Sequence, residues 1–415
     1  MDVENASPSA PARLLDITRL ISRTGKMFTG VDRVELAYFQ RFVGDEGPLF
    51  GLARTSLGYI LLDRSGMQQL LMRITQEQPF GTATPIARIL HRTNHALARA
   101  ESDLRRFSLA RARKRNLGPM LKRHLPNRIA YYNTGHSNIT SSLFRGIRDV
   151  PSARIFVLLH DTIPLDFPQF QRTGTVEQFR EKLRLVQANA DVIICNSEAT
   201  RADTVRHMSA CGSVPALCVA HLGHTPNCLP IGDSMAAPDI LSPFFLCLGT
   251  IEPRKNHKLL LDIWTGPLRE IMGHDLPHLV ICGSRGWRNE DVFEQLDSLA
   301  EKSDHIHEYA GLDDAVINVL MKRSAGLLFP SFAEGFGLPL IEAAALGTPI
   351  LCNTLPVIHE VLADIPIYAE VSDSYSWASK IANLARQDGN RDKYRKITHS
   401  PPTWDQHFNV VLNIA

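Results

Sequence analysis

The stretch FPSFAEGFGLPLIEAAALGTPILCN, residues 329–353, decides the fold of this chain. The apolar run at 326–329 has the pattern of a buried strand, and a glycine-bearing loop follows it. Pro339 lies where a helix would begin and Gly347 where it would end, which is the usual punctuation of a helix. The stretch therefore predicts a strand, a loop, a short helix and a second strand.

In open α/β sheets, a loop at the carboxyl end of a strand is where ligands bind. The N-terminus of the following helix offers free N–H groups that suit a phosphate. Glu334 in the loop and Glu342 in the helix are unsuited to phosphate, but they can hold hydroxyl groups. The combination favours a nucleotide sugar, although glycines at the turns of any strand–helix–strand unit would give the same pattern without function.

Length and composition narrow the class of protein. A chain of 415 residues predicts two domains. The net charge of +2 gives no global attraction to nucleic acid, and no apolar run is long enough to span a bilayer. Acids and prolines near the start, and seven cysteines without a C-x-x-C pair, lead us to expect a cytoplasmic protein with reduced thiols and no zinc site.

Strands alternate with helices in both halves, which predicts an α/β protein with two Rossmann-like parallel-sheet domains facing across a cleft. We assign residues 1–230 to an N-terminal acceptor-binding domain and 231–395 to a C-terminal nucleotide-sugar-binding domain. Residues 224–243 are rich in Pro, Gly, Asn and Ser and have the composition of a linker. Residues 64–128 look like an insertion, and 396–415 predict a terminal helix that crosses back to the first domain.

Two features of the first half are predicted to lie in the cleft between the domains. Gly30 lies in a loop between a strand and a helix that begins at Val31. His160 and Asp161 follow the apolar strand pattern of 155–159. A histidine at that position is either structural, with its ring bonded to the backbone, or a site residue that Asp161 orients.

The segment 105–128 carries nine Lys and Arg residues and no acid, with Leu and Phe interleaved. It is either a solvated basic face or a contact with anionic lipid or a phosphate-bearing acceptor. Nucleic acid is the less favoured partner, because the basic patch is local and no aromatic stacking platform accompanies it.

Arg254 and Lys255 follow the first strand pattern of the second half. Such cations can neutralise the charge that builds on a leaving nucleoside diphosphate. A solvated pair at a helix start is the alternative, but positive charge there opposes the helix dipole unless an anion is present. The chain has no Asp-x-Asp string, a common carboxylate arrangement for Mg²⁺ on a sugar nucleotide, so we expect no metal and no cofactor.

Two stretches carry a family resemblance, FLCLGTIEPRKNHKLLLDIW (245–264) and the longer stretch 329–361. Both resemble the retaining nucleotide-sugar glycosyltransferases of GT-B fold, family 4, and within them the bacterial mannosyltransferase-like enzymes of O-antigen and exopolysaccharide assembly. The resemblance is strong over 150–415 and weaker over 1–150. Shorter matches support it: ICGSRGW (281–287), LLHDTIPLDFP (158–168), NSEATRADTV (196–205), TWDQHF (403–408) and TGVDRVELAY (29–38).

The resemblance implies roles for matching positions. Arg254 and Lys255 would bind the donor diphosphate, Glu342 the ribose and Glu334 the donor sugar, while His160 would contact the reacting sugar. Many relatives have Gly-Arg where this chain has Gly249-Thr250, so the charge would come from Arg254. The complete implied donor site is Gly30, Gly249, Thr250, Arg254, Lys255, Gly283, Arg285, Glu334, Gly335, Phe336, Gly337, Leu338 and Glu342.

The resemblance also implies an activity. The chain would move mannose from GDP-mannose onto a glycan or lipid-linked acceptor, in the cytoplasm or peripherally at the inner face of the membrane. Retention would proceed by same-face attack with a phosphate oxygen as base, which needs no second carboxylate beside Glu334. The alternatives are a sugar-nucleotide 2-epimerase of the same architecture and an inactive glycan-binding relative.

Overall fold

The structure, a computed structural model, describes residues 11–224, 237–387 and 401–414. Most of the predicted linker 224–243, the boundary at residue 230, Cys228 and part of the predicted terminal segment 396–415 lie outside the described residues. Within them, no helix combines the length and the apolar character that crossing a bilayer requires.

The first sheet has the strand order β4-β3-β2-β1-β5-β6-β7-β8. Its pairings are parallel except those of β2 with β3 and of β3 with β4. Its strands are β1 (Ala12–Asp16), β2 (Leu49–Thr55), β3 (Gly58–Leu62), β4 (Ala110–Ala112), β5 (Ile129–Asn133), β6 (Arg154–Leu159), β7 (Val192–Cys195) and β8 (Ala216–Val219). Its helices are α1 (Thr18–Ser22), α2 (Gly30–Gly44), α3 (Arg64–Ile74), α4 (Pro85–Leu90), α5 (His95–Arg106), α6 (Leu117–His124), α7 (Ser141–Arg148), α8 (Ile163–Asp166), α9 (Thr175–Asn189) and α10 (Glu198–Ser209).

The second sheet is parallel throughout and has the order β11-β10-β9-β12-β13-β14. Its strands are β9 (Phe244–Leu248), β10 (His278–Cys282), β11 (Ile306–Tyr309), β12 (Gly326–Phe329), β13 (Ile350–Cys352) and β14 (Ile367–Tyr368). The helices that follow are α11 (His257–Thr265), α12 (Pro267–Met272), α13 (Glu290–Lys302), α14 (Asp314–Arg323), α15 (Leu338–Ala345), α16 (Pro356–Leu362), α17 (Ser374–Arg386) and α18 (Trp404–Asn413).

Local sequence explains why these elements form. The central strands are continuous apolar runs because helices cover both faces of a parallel sheet, and β9 and β12 are buried at every position. Ser197 caps α10, since its side chain accepts a hydrogen bond from the Thr200 N–H at 3.0 Å. In α2, Thr29 and Asp32 form a capping box.

The insertion expected at 64–128 contains a strand as well as helices and loops. That strand, β4, extends the first sheet at its edge. The apolar side chains of α6, among them Leu117 and Leu121, are buried, while Lys122 and Arg123 are exposed. The apolar residues of this part of the basic segment therefore belong to the core rather than to an outer face.

The two domains are in direct contact. Glu360 of α16 accepts hydrogen bonds from the backbone N–H groups of Glu198 and Ala199, at 2.6 and 3.0 Å, at the start of α10. The last helix, α18, contacts the first domain, where the His407 ring lies 2.8 Å from the Tyr38 hydroxyl. These contacts hold the two domains together.

Candidate active site

The site is built where the end of β6 meets the end of β12. His160 follows β6, and Gly335 lies in the loop after β12. A Cβ atom at Gly335 would lie only 2.7 Å from the carbonyl oxygen of His160 and 3.1 Å from a carboxylate oxygen of Asp161. The space therefore requires glycine at position 335, and the two domains touch at the predicted site.

A buried charged cluster lies beside this contact. Glu334 accepts a 2.7 Å hydrogen bond from the Lys255 ammonium, and the Arg254 guanidinium lies 2.9 Å from the same carboxylate oxygen. Arg254 also pairs with Glu252 at 2.8 Å. The Lys255 ammonium lies 4.5 Å from the ring centroid of Phe329, a cation–π contact. The structure thus brings Arg254, Lys255 and Glu334, for which the resemblance implies contacts with the donor diphosphate and sugar, into one cluster.

Backbone contacts hold the cluster in place. Arg254 and Lys255 lie on a 3-10 turn, Pro253–Lys255, between β9 and α11. The Arg254 guanidinium donates to the Ala333 carbonyl at 2.6 Å, and the Phe332 N–H donates to the Arg254 carbonyl at 2.9 Å. The turn after β9 is therefore fixed to the loop after β12. Arg254 and Lys255 place positive charge just before α11, and Glu334 is the anion that balances it.

Mutual pairing favours the charged forms of this buried cluster. Burial acts to raise the pKa of Glu334, but Arg254 and Lys255 outweigh it and the pKa is lowered. Burial lowers the pKa of Lys255 despite the opposing effect of Glu334. Burial also acts downward on the pKa of Arg254, but Glu334 and Glu252 raise it above its usual value. An anionic ligand here would compete with Glu334 for both cations.

His160 is buried and neutral on the first-domain side. Its Nε2 lies 2.7 Å from the Thr134 carbonyl, so this nitrogen carries the proton. Burial disfavours the charged imidazolium and lowers the pKa of His160 to about 4, although the bond to Thr134 opposes this shift. The backbone-bonded geometry satisfies the structural alternative stated above, while the backbone carbonyl of the same residue lies at the domain contact.

The interpretation that Asp161 orients His160 is wrong. The imidazole bonds to Thr134 at the end of the neighbouring strand, while Asp161 accepts a hydrogen bond from the Ile163 N–H at 3.1 Å. Burial raises the pKa of Asp161 to about 6, partly opposed by Arg254. Asp161 is thus a carboxyl close enough to Arg254 and Glu334 to interact with both, and sequence reasoning found no such second carboxylate.

The start of α15 lies at the domain boundary. Gly337 is its N-cap and supplies no side-chain acceptor, so the first N–H groups of the helix have no side-chain cap. The buried Phe336 ring lies 6.1 Å from the ring of His221. A Cβ atom at Gly30 would lie 3.5 Å from the Leu338 side chain, so this first-domain loop reaches the predicted helix start.

The loops after β9 and β10 also meet. A Cβ atom at Gly283 would lie 1.9 Å from the Gly249 carbonyl oxygen, which only glycine permits. Thr250 follows in the same loop. Arg285 is not part of the Arg254–Lys255 cluster, because its guanidinium is neutralised by two acids at 2.6 and 2.8 Å. These two acids are Asp297 and Glu308.

Glu342 has a partner that sequence reasoning missed. Arg33 of α2 donates to it at 2.7 Å across the domain boundary and also pairs with Asp314. Burial raises the pKa of Glu342, and Arg33 opposes that effect. Helical spacing offered the signal, because Gly30 and Arg33 are three residues apart and share one face of α2.

The second domain matches a known family. Residues 240–399 match the family model described as glycosyl transferases group 1, which confirms the resemblance drawn from the sequence. The Escherichia coli serotype-specific mannosyltransferase WbdA is 29% identical over 237 residues, covering 53% of this chain and 27% of that protein. The E. coli O-antigen chain mannosyltransferase B is 26% identical over 252 residues, covering 58% of this chain and 63% of that protein. The chain thus spans about a quarter of WbdA and less than two thirds of the second relative.

Solved structures share the whole architecture. The Anabaena protein Alr3699/HepE, solved in complex with UDP-glucose, superposes with a TM-score of 0.64 at 13% identity, covering 97% of this chain and 99% of that one. The E. coli protein described as trehalose-6-phosphate, solved with bound UDP-2-fluoro glucose, superposes with a TM-score of 0.56 at 12% identity, covering 92% of this chain and 94% of that one. The predicted GT-B fold, with two parallel-sheet domains, is confirmed.

Proposed function

We propose that this protein is a glycosyltransferase that moves a hexose from a nucleotide-sugar donor onto a glycan or lipid-linked acceptor in bacterial surface polysaccharide assembly. The observation that carries the proposal is the buried cluster of Arg254, Lys255 and Glu334. It lies opposite His160, in a domain that matches glycosyl transferases group 1. The two mannosyltransferase relatives support the same class of reaction.

In this proposal the donor diphosphate displaces Glu334 and forms ion pairs with Arg254 and Lys255. Arg254 and Lys255 then neutralise the negative charge that grows on the leaving nucleoside diphosphate, the electrostatic stabilisation expected of preorganised charges in a buried site. Glu334, released from them, accepts hydrogen bonds from the donor sugar. Because the chain has no Asp-x-Asp string, we propose that these side chains replace a divalent metal.

Glu342 accepts hydrogen bonds from the ribose hydroxyls after its ion pair with Arg33 has broken. His160, with its proton on the nitrogen that faces Thr134, presents a neutral ring to the transferred sugar. In the proposed retaining reaction the bond from sugar C1 to the phosphate oxygen breaks as the bond to the acceptor oxygen forms on the same face. The acceptor proton goes to a phosphate oxygen, so the chain supplies no nucleophile.

We propose mannose as the sugar and GDP-mannose as the donor, since the relatives carry mannosyltransferase names. The reaction would take place in the cytoplasm or at the inner face of the membrane. A panel of nucleotide sugars, including GDP-mannose, UDP-glucose and UDP-N-acetylglucosamine, tests the donor. The measurement is release of nucleoside diphosphate with and without EDTA, followed by NMR of the product anomer.

Release of GDP from GDP-mannose that EDTA does not reduce, with an α-linked product, is the expected result. Epimerisation at C2 without free diphosphate would replace the proposal with a sugar-nucleotide 2-epimerase. Binding without turnover of any donor across a range of acceptors would leave the inactive glycan-binding relative as the better description.

A further inference from the structure

Helix α4 presents an apolar face to solvent. The helix has six residues, and three of them carry large exposed aliphatic side chains. These are Ile86, Ile89 and Leu90, which are 59%, 63% and 42% exposed. Their spacing places them together on one side, while Ala87 on the other side is fully buried. A cluster of exposed aliphatic side chains indicates an interaction surface, whereas single exposed ones do not.

The turn between β2 and β3 extends this surface. Glu101 of α5 joins the two elements, because its carboxylate lies 3.5 Å from the Ser56 N–H and 3.2 Å from the ring of His91, next to α4. Leu57, the residue after Ser56, is 51% exposed. A fourth exposed aliphatic side chain therefore follows directly on the residue that Glu101 links to His91, at the end of α4.

Positive charge surrounds these side chains. Residues 54–128 carry fifteen Lys or Arg and only four Asp or Glu, whereas the whole chain has a net charge of +2. Among the described residues, Glu101 and Asp103 are occupied by arginines of α3 and α5, while the exposed Arg88 and Arg92 form no ion pair. Charge is thus concentrated beside the apolar face and is not cancelled there.

The edge strand β4 adds further cations. It pairs with β3 and carries the exposed Arg111, and the exposed Arg113 follows directly after it. A Cβ atom at Gly58, next to Leu57, would lie 2.2 Å from the Ala112 carbonyl, so the turn and the edge strand are in contact. Aliphatic side chains flanked by arginines are the composition of a protein surface that lies in the headgroup region of a bilayer.

We propose that α4, the Ser56–Leu57 turn and β4 form a docking surface for an anionic lipid bilayer. Nucleic acid fits less well, because the exposed apolar residues here are aliphatic and provide no stacking platform. A second copy of the chain fits less well, because a symmetric contact would place two strongly basic surfaces against each other. The apolar part of the surface comes from α4 and the turn, not from the buried leucines of α6.

A loop that leads to the cleft packs on α5, the helix whose Glu101 joins the turn to α4. A Cβ atom at Gly25 would lie 2.6 Å from the Ala96 side chain of α5, so the loop before α2 packs on α5. That loop carries Met27, which is 49% exposed, and runs into Gly30 at the domain contact. Bilayer docking stands apart from catalysis, but the idea that it presents a lipid-linked acceptor to the cleft rests on the proposed function.

Vesicle flotation tests the docking. The full chain is mixed with vesicles of neutral phosphatidylcholine alone or with about a third of anionic phosphatidylglycerol. Ile86→Asp/Ile89→Asp removes apolar contact, and Arg88→Glu/Arg92→Glu reverses charge at exposed positions that the fold does not need. Leu241→Asp/Tyr375→Asp is the matched control, because these side chains are 73% and 65% exposed in the second domain.

We expect wild type and control to float with anionic vesicles, with recovery falling as salt rises. Each variant of the docking surface should bind at least about tenfold more weakly, given about fivefold per basic residue near an anionic surface. Equal flotation of wild type on neutral and anionic vesicles, no flotation of wild type, or full binding by the charge-reversed variant would each overturn the proposal. GDP release from GDP-mannose in solution should persist in both variants, which separates failure of docking from failure of the proposed activity.

Discussion

The two faces of the cleft differ in charge. On the second-domain side, Arg254, Lys255 and Glu334 are buried together and ionised. On the first-domain side, His160 is buried and neutral, and burial raises the pKa of Asp161 to about 6, so this carboxyl is protonated only in mildly acidic solution. Buried charges persist only with partners, so the ionised face is suited to an anion. The uncharged imidazole of His160, after which we call the first-domain side the neutral face, is suited to an uncharged polar group.

This difference assigns the parts of a sugar nucleotide to the two domains. In the proposed reaction, the diphosphate binds to the second domain and the transferred sugar lies between the two faces. Substitutions on the ionised face should therefore weaken donor binding and leaving-group stabilisation, while those on the neutral face should slow transfer without loss of donor affinity.

The largest effect is expected at Lys255. Lys255→Ala removes a buried ammonium that is already held in position, and loss of such a charge contact lowers turnover by about a hundredfold or more. The measurement is kcat for nucleoside diphosphate release from GDP-mannose. Lys258→Ala is the matched control, since its ammonium is exposed and pairs only with Asp262 at 2.8 Å. An unchanged kcat for Lys255→Ala would show that the phosphate assignment is wrong.

Asp161→Asn should reveal how much the ionised carboxylate of Asp161 lowers the free energy of unfolding. Because the folded pKa is raised from 3.8 to about 6, the stability linked to protonation is present below pH 4 and is lost as pH rises through 6. The variant should therefore gain stability relative to wild type between pH 4 and pH 7, by about 2 kcal/mol after a discount for partial exposure. Urea unfolding across this range, with Asp262→Asn as an exposed control, measures it. A pH-independent difference would contradict the shift.

His160 offers a test of the neutral face. His160→Ala should lower kcat about tenfold, the cost of one buried hydrogen bond to substrate, and leave the KM for the donor nearly unchanged. His160→Gln can still donate a proton to Thr134 but lacks the ring. Full recovery of activity in that variant would mean that the histidine serves only the structure.

The smallest effect is expected at Glu342. Glu342→Gln should raise the KM for the donor about threefold, because an amide accepts hydrogen bonds from ribose less strongly than a carboxylate. Asp314→Asn is the matched control, since it also removes one partner of Arg33 but leaves Glu342 in place. The same increase in both variants would show that the pairing of Arg33, and not ribose binding, is being measured.

The sequence predicted the fold because local patterns specify it. Apolar runs, helix caps such as Ser197, and helix limits at Pro339 and Gly347 are each readable within a few residues. The cluster of Arg254, Lys255 and Glu334 was also within reach, because the ends of neighbouring parallel strands meet at one edge of a sheet.

Contacts between residues far apart in the chain were not readable in this way. The pairing of Arg33 with Glu342 joins positions about three hundred residues apart and depends on how the two domains meet. The partner of His160 depends on the direction of its ring, and a neighbouring acid in sequence gave the wrong answer. The exposed face of α4 was missed because exposure of an isoleucine depends on what packs over it.

Gly335 has a consequence for motion between the two halves of the protein. With 2.7 Å between the position of its missing Cβ and the His160 carbonyl, the thickness of a single methyl group is enough to hold the halves apart. The glycine at position 335 therefore lets the two domains approach as closely as their backbones allow. Progressively larger side chains at this position would separate the two domains by progressively larger distances. The cluster of Arg254, Lys255 and Glu334 would keep its structure, but His160 would no longer lie opposite it.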